Sequence, residues 1–280
     1  MVQALFAANA VFGKVALAAI SPTTLVAVRV PASAIFFFLL RAAWARRAGW
    51  QPVARRDLPA LVLLSLIGVA GNQLCFTEGL ARTSATNTAV LMATIPVFTS
   101  GLAIALGRER PTARRLLGLA IALGGALLIA LFGRSGAALR LEVGPGELFL
   151  LANSFLYALY LVLSRPLFLR YRTETAMTWI FAIGAVLLLP FDGAIARELG
   201  GAPMVALAAV AYVVIGATIA AYFLNAWALT QASSVMVAIY IYLQPVFGAL
   251  LASVVLHERL SPITAAAGAL IGVGIALVSL

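Results

Sequence analysis

Ile95-Pro96-Val97-Phe98 opens an apolar stretch that ends in Leu106-Gly107-Arg108-Glu109-Arg110. Its two marked words return 149 residues later, as Pro245-Val246-Phe247 followed by Glu258-Arg259. The same offset aligns Leu80 with Leu229, Ser84 with Ser233 and Gly125 with Gly274, while an offset of 144 pairs Ala8-Asn9 with Ala152-Asn153. The chain is thus read as a tandem duplication, residues 1–140 and 141–280. Each copy is a set of apolar segments, so the duplicated unit belongs to a membrane. Repeats of this kind let a carrier build two alternately opening halves, which makes transport the first functional expectation.

Composition agrees. The 280 residues are 64% hydrophobic and 10% charged, with a mean hydropathy of +1.08. A soluble globule exposes too much surface to hide that apolar content. Charge-free runs such as 86–106, 116–131 and 262–280 approach or meet the roughly 20 residues needed to cross hydrocarbon. The predicted architecture is all-α, with ten transmembrane helices near 2–20, 23–44, 58–81, 85–106, 113–132, 146–164, 174–191, 203–223, 234–256 and 261–280. The run beginning at Val2 has no basic stretch before it and is read as the first span rather than a leader.

The formal net charge of +10 would suggest nucleic acid on a soluble protein. Here the arginines sit between spans, against anionic lipid, so the partners expected are the bilayer and a small-molecule substrate, with no nucleic acid. Arg41, Arg46, Arg47, Arg55, Arg56, Arg108, Arg110, Arg114, Arg115, Arg165, Arg170 and Arg172 fall on one side of a ten-span layout. Arg82, Arg134, Arg140, Arg197 and Arg259 fall on the other. The richer side is expected to be cytoplasmic, with both termini there. Five spans per copy is an odd number, so the copies must be inverted, with Glu109 and Glu258 on opposite faces. Cys75 and His257 stand alone, so neither disulfide, metal site nor cofactor is expected.

Polar side chains inside spans are costly and therefore informative. Asn153, Tyr157, Tyr160 and Ser164 make one helical stripe, and Thr218, Tyr222 and Asn225 another. Asn87 with Thr94, and Ser233 with Tyr240 and Gln244, add shorter ones; Asn9 and Gln73 lie near mid-depth. Two readings stand: bonds between helices, or a shared cavity that binds a zwitterion through tyrosines and amides. For the set, the cavity reading is favoured, with Asn9, Gln73, Asn153, Tyr157, Tyr160, Tyr222, Asn225, Tyr240 and Gln244 as its residues. Pro96 and Pro245 lack the N–H that the preceding turn needs, so a kink is expected at each, read as paired hinges. Gly118 with Ala122, and Gly268 with Gly272, offer small faces for helix packing within a monomer or, at most, a weak homodimer. Glu109 and Glu258 precede helices and suit their N-terminal dipoles, with Arg110 or Arg259 as local partners.

The Pro-Val-Phe to Glu-Arg segment, Gly118, Gly124-Gly125 and their repeat from Gln244 to Gly274 resemble the EamA branch of the drug/metabolite transporter superfamily. Phe12-Gly13-Lys14 and Ser21-Pro22 followed by Arg29 resemble the start of its first repeat. The chain departs from the common pattern at Gly107 and His257. The resemblance implies a bacterial inner-membrane exporter of metabolites, with amino acids, including aromatic ones, as the leading substrate. A sugar-nucleotide or phosphorylated-metabolite exchanger of the same superfamily is the alternative. A membrane-embedded enzyme lacks a catalytic set, and a passive channel lacks a charged ring or filter.

Lys14, Arg29 and Glu78 fall at one depth in three neighbouring spans. The expectation is a Lys14–Glu78 contact with Arg29 nearby, bordering the cavity, and a Glu78 held ionised by two cations, which favours transport without proton coupling.

Overall fold

In the computed structural model, which describes residues 1–132, 144–255 and 262–279, every described element is helical. The helices are α1 (Val2–Leu17), α2 (Pro22–Ala48), α3 (Arg55–Arg82), α4 (Ala85–Met92 continued by Ile95–Ala105) and α5 (Ala113–Phe132). They are followed by α6 (Pro145–Arg170), α7 (Thr173–Leu188), α8 (Met204–Gln231), α9 (Ser234–Ile239 continued to Val255) and α10 (Pro262–Ser279). Among the described residues nine helices are long and apolar enough to cross a membrane; α1, at 16 residues, is apolar but shorter. Glu258, Arg259 and His257, with Arg134 and Arg140, lie outside the described residues.

Local chemistry sets the ends. Ser21, Ser84 and Ser233 accept from the backbone N–H of Thr24, Asn87 and Met236, at 3.3, 3.0 and 3.3 Å. Each thereby satisfies an otherwise orphaned donor of the first turn. Gly107 follows α4 at φ +64°, a left-handed conformation that a residue with a Cβ adopts only with strain, which accounts for glycine at that departure from the family pattern. The short helix Ile195–Gly201 lies outside the spans, where Glu198 accepts the Ser21 backbone N–H at 2.7 Å. That bond is the main reason its carboxyl titrates below the usual glutamate range.

Packing follows a regular pattern. α2 lies against α7 and α5 against α10; α3 lies against α6, and α1 against α8. The α5–α10 crossing is the closest. A Cβ on Gly274 would stand 2.5 Å from the Gly118 carbonyl oxygen, and one on Gly125 2.7 Å from that of Ala267. The small face expected at Gly268 and Gly272 is not the one used. Gly272 has open space around it and Gly268 only touches Val246, because the register of α10 turns Gly274 and Ala267 toward α5 instead. Outward faces carry exposed Ile35, Leu39, Val186 and Ile215, as a lipid-facing surface requires.

Four helices depart from regular α geometry. α3 is π-helical over Leu66–Ala70 and α8 over Val213–Ala220, stretches that overlap at the 149-residue offset. α4 breaks at Ala93-Thr94, just before Pro96, and α9 passes through a 3-10 turn, Tyr240–Leu243, just before Pro245. Regular α-helix is thus interrupted just ahead of each proline at which a kink is expected. The Leu91 carbonyl at the first break is recovered by the hydroxyls of Thr94 (2.6 Å) and Ser154 (2.9 Å).

Candidate substrate cavity

The four irregular helices surround a cavity with α1, α2 and α6. Its lining is Phe6, Asn9, Arg29, Asn72, Gln73, Phe76, Met92, Ile95, Asn153, Tyr157, Tyr222 and Gln244, around about 480 Å3 of atom-free space. Three pairs in this lining are related by the repeat: Asn9 with Asn153 at an offset of 144, and Gln73 with Tyr222 and Ile95 with Gln244 at 149. Asn72 and Asn153 clasp reciprocally, each amide nitrogen donating to the other's backbone carbonyl at 3.1 and 3.0 Å. The Tyr222 hydroxyl donates to Asn72 Oδ1 at 3.2 Å and to the Gly68 carbonyl, in the π-helical stretch of α3, at 3.3 Å. π-helical turns recur at functional sites because they free and re-aim backbone groups, as Gly68 does here.

Several polar atoms in the cavity are unspent. Among the described residues, Asn9 Oδ1 is buried without a hydrogen-bond partner. The Gln73 amide lies beside the Tyr222 hydroxyl, yet neither its oxygen nor its nitrogen has a partner of normal geometry among the described residues. Buried amides normally find partners, and free ones converging on a hollow are what a ligand would complete.

The structure redistributes the sequence candidates. Asn9, Gln73, Asn153, Tyr157, Tyr222 and Gln244 line the cavity. Asn225 stands one layer back and donates to the Tyr157 hydroxyl at 3.1 Å. Tyr160 is a packing residue: its ring stacks on Tyr157, 6.1 Å between centroids, and rests directly on Gly68. Tyr240 is 39% exposed and does not reach the cavity, because the 3-10 turn rotates it away and presents Gln244. Sequence reasoning passed over Asn72 and Phe6. Both carried a signal: Asn72 adjoins Gln73, and Phe6 precedes Asn9 by three residues on the same helix face.

The expected charge cluster does not form. The Lys14 ammonium donates to the Thr83 backbone carbonyl at 2.7 Å, in the turn between α3 and α4. Glu78 pairs with Arg82 one helical turn away, so the argument that two cations hold it ionised loses its basis. The three side chains leave their helices toward different partners. Arg29 is the one that points inward. It lies about 10 Å along the axis from the start of α2, is 2% exposed, and donates through Nε to Thr218 Oγ1 at 2.7 Å. Thr218 in turn donates to the Val213 carbonyl five residues back, within the π-helical stretch of α8. No carboxylate pairs with Arg29 among the described residues, and a bare cation in a span costs about 2.5–3.5 kcal/mol.

A second, mostly apolar chamber adjoins the first through Phe6, Phe76, Met92 and Gln244. It holds about 1050 Å3 of atom-free space, part of it open, between the first half of α4 (Thr88, Ala89) and the second half of α9 (Pro245, Gly248, Ala249). At the opposite end the halves meet: Ile95–Ala105 packs on Ser234–Ile239. There Glu109 accepts from the Val235 backbone N–H at 3.4 Å and pairs with Arg115 at 3.3 Å, rather than with Arg110 as expected. It therefore complements the N-terminus of α9, not that of its own neighbour α5.

Among the described residues, nine helices long and apolar enough to cross a membrane, with a polar pocket between them, make this a multi-pass membrane protein. The chain belongs to the EamA-like transporter family, whose model matches residues 1–131 and 144–280. It is 31% identical over 219 residues to an uncharacterised transporter of Archaeoglobus fulgidus, covering 76% of this chain and 74% of that protein. It is 28% identical over 224 residues to a probable terminal-alkyne amino-acid exporter of Streptantibioticus cattleyicolor, covering 80% and 74%. A solved crystal structure shares the fold at a TM-score of 0.74 and 20% identity, over 98% of this chain and 93% of that one.

Proposed function

We propose that this protein is a bacterial inner-membrane secondary transporter that exports small metabolites, foremost amino acids including aromatic ones, by alternating access. Its ten helices act as two inverted halves, 1–140 and 141–280, hinged at Pro96 and Pro245. The observation that carries this reading is a cavity lined by repeat-related pairs, with one end packed and the other open. If the halves exchange conformations, the packed end opens and the open end packs. The helix pairings agree: α2–α7 and α5–α10 join equivalents, and α3–α6 is matched by α8–α1. The arginine-rich end is cytoplasmic by the positive-inside rule. That makes both termini cytoplasmic and the open chamber outward-facing. Amino-acid export is supported by the amides and tyrosines of the cavity and by the name of the Streptantibioticus relative. A sugar-nucleotide or phosphorylated-metabolite exchanger calls for several cations around the phosphates, whereas Arg29 is the one charged residue in the lining among the described residues.

The test is counterflow in proteoliposomes against amino acids, nucleosides and sugar phosphates; saturable exchange of amino acids is expected. Cysteines beside Glu109 and Glu258 on a Cys75→Ser background should react with an impermeant maleimide from opposite sides. Same-side labelling would refute the inverted halves.

A further inference from the structure

We infer that Arg29 is the docking point for a substrate carboxylate, and that the ligand is an amphipathic carboxylate whose apolar part extends into the adjoining chamber. This inference rests on the transport reading and narrows its substrate class.

Three observations converge. First, Arg29 is buried and uses one donor, Nε, on Thr218 Oγ1. Its two terminal Nη groups make no hydrogen bond among the described residues, and it lines the cavity. That leaves the end of the guanidinium free for a two-pronged bond to a carboxylate, the geometry in which arginine excels. Second, no acid in the lining balances it, so a resting cavity carries one positive charge that an arriving anion neutralises. Third, Arg29 breaks the repeat. Asn9 and Asn153 match as amides across the repeat, and Gln73 and Gln244 have polar or apolar equivalents that also line the cavity, Tyr222 and Ile95. At either offset, however, Arg29 corresponds to a threonine outside the lining, Thr173 or Thr178. Thr178 spends its hydroxyl on the backbone carbonyls of Phe37 and Glu174. A residue needed for the two-fold scaffold would be expected in both copies; one needed for a single ligand group is required once. The next chamber is walled mostly by apolar side chains, with Thr88, Tyr242 and Gln244 as uncharged polar ones, which suits an apolar tail rather than a second charge.

The experiment uses the full chain in nanodiscs. Binding is measured for three matched sets: phenylalanine, phenylalaninamide and 3-phenylpropionate; leucine, leucinamide and 4-methylpentanoate; and the tryptophan trio built the same way. Wild type should favour the acid over the amide by at least about tenfold in one or more sets, as a charge-assisted pair implies. Arg29→Gln should bring that ratio to near one, while Arg29→Lys keeps part of it. A scaffold role would instead weaken acid and amide together, leaving the ratio unchanged, and that result overturns the inference. So does a wild type that binds none of the acids or ranks the amides equal to them. Thermal melting of each variant confirms that ratios are read on folded protein. Retention of 3-phenylpropionate alongside the amino acid would show the ammonium to be dispensable, with the carboxylate assignment upheld. Acid-selective binding without counterflow upholds Arg29 and removes the transport reading. Counterflow of amides as fast as acids removes Arg29 and leaves transport standing.

Discussion

The two ends of the bundle are held by the same device and yet differ in state. At one end Lys14 of α1 donates to the Thr83 carbonyl, in the turn between α3 and α4. At the other, Arg165 of α6 donates to the Ala232 carbonyl, in the turn between α8 and α9, at 2.9 Å. Thr83 and Ala232 are equivalent at the 149-residue offset. Each latch joins helices within its own half of the chain, and both are closed in the same structure. What differs lies between the halves. Around Thr83, Glu147 of α6 accepts from the Thr83 hydroxyl and from Asn87 Nδ2, the latter at 2.9 Å, while α4 and α9 diverge around the apolar chamber. Around Ala232, α4 and α9 pack together and Glu109 reaches Val235. The contacts within each half are thus alike, and the two ends differ in how the broken helices α4 and α9 face each other.

The largest effect is expected from locking the packed end. Cysteines at Glu109 and Val235 on a Cys75→Ser background, joined by a cleavable thiol cross-linker, should abolish counterflow, and reduction should restore it. Undiminished transport with that end tethered would break the comparison at its centre. Next come the glycines that let α5 meet α10. Gly274→Ala forces a Cβ onto Gly118 backbone and should destabilise the protein by about 1–3 kcal/mol. Gly272→Ala, facing open space, should stay within about 0.5 kcal/mol; thermal melting compares the two. A smaller effect follows from Lys14→Ala and Arg165→Ala. Each removes one charge-assisted bond, worth about 1.5–3 kcal/mol if fully buried and less at these partly buried sites. If the latches are symmetric, maleimide accessibility of an Ala89→Cys reporter should shift in opposite directions in the two variants. The smallest effect is at Glu198. Its carboxyl titrates below the ordinary 4.5 because it accepts the Ser21 backbone N–H. Its contribution is therefore complete above that value and fades as pH falls through the folded-state value. Melting curves between neutral and acidic pH should steepen in wild type relative to Glu198→Gln in that acidic window alone.

Much of this was legible beforehand because it depends on position along the chain. Apolar length and the repeated Pro-Val-Phe word are one-dimensional signals. They delivered the helices and the interruptions ahead of Pro96 and Pro245, and six of the nine residues named for a cavity line one hollow. The misplaced residues share a cause. Tyr240 sits where a 3-10 turn shifts the angular register, and Tyr160 lies under Tyr157 because Gly68 leaves a gap at that height. The π-helical stretches of α3 and α8 have no residue signature of their own, so the bonds of the Gly68 carbonyl to Tyr222 and of the Thr218 hydroxyl to Arg29 had no sequence precursor.

Sequence by itself determined that the chain is a bundle of helices apolar enough for a membrane and where α4 and α9 are interrupted, since apolar length and proline act along the chain. Tertiary structure alone decided direction. The sequence places Lys14, Arg29 and Glu78 at one expected depth, but the rotation of each helix about its axis follows from packing against its neighbours. That rotation sends Lys14 to the Thr83 carbonyl and Glu78 to Arg82, while turning Arg29, unpaired by any acid among the described residues, into the cavity.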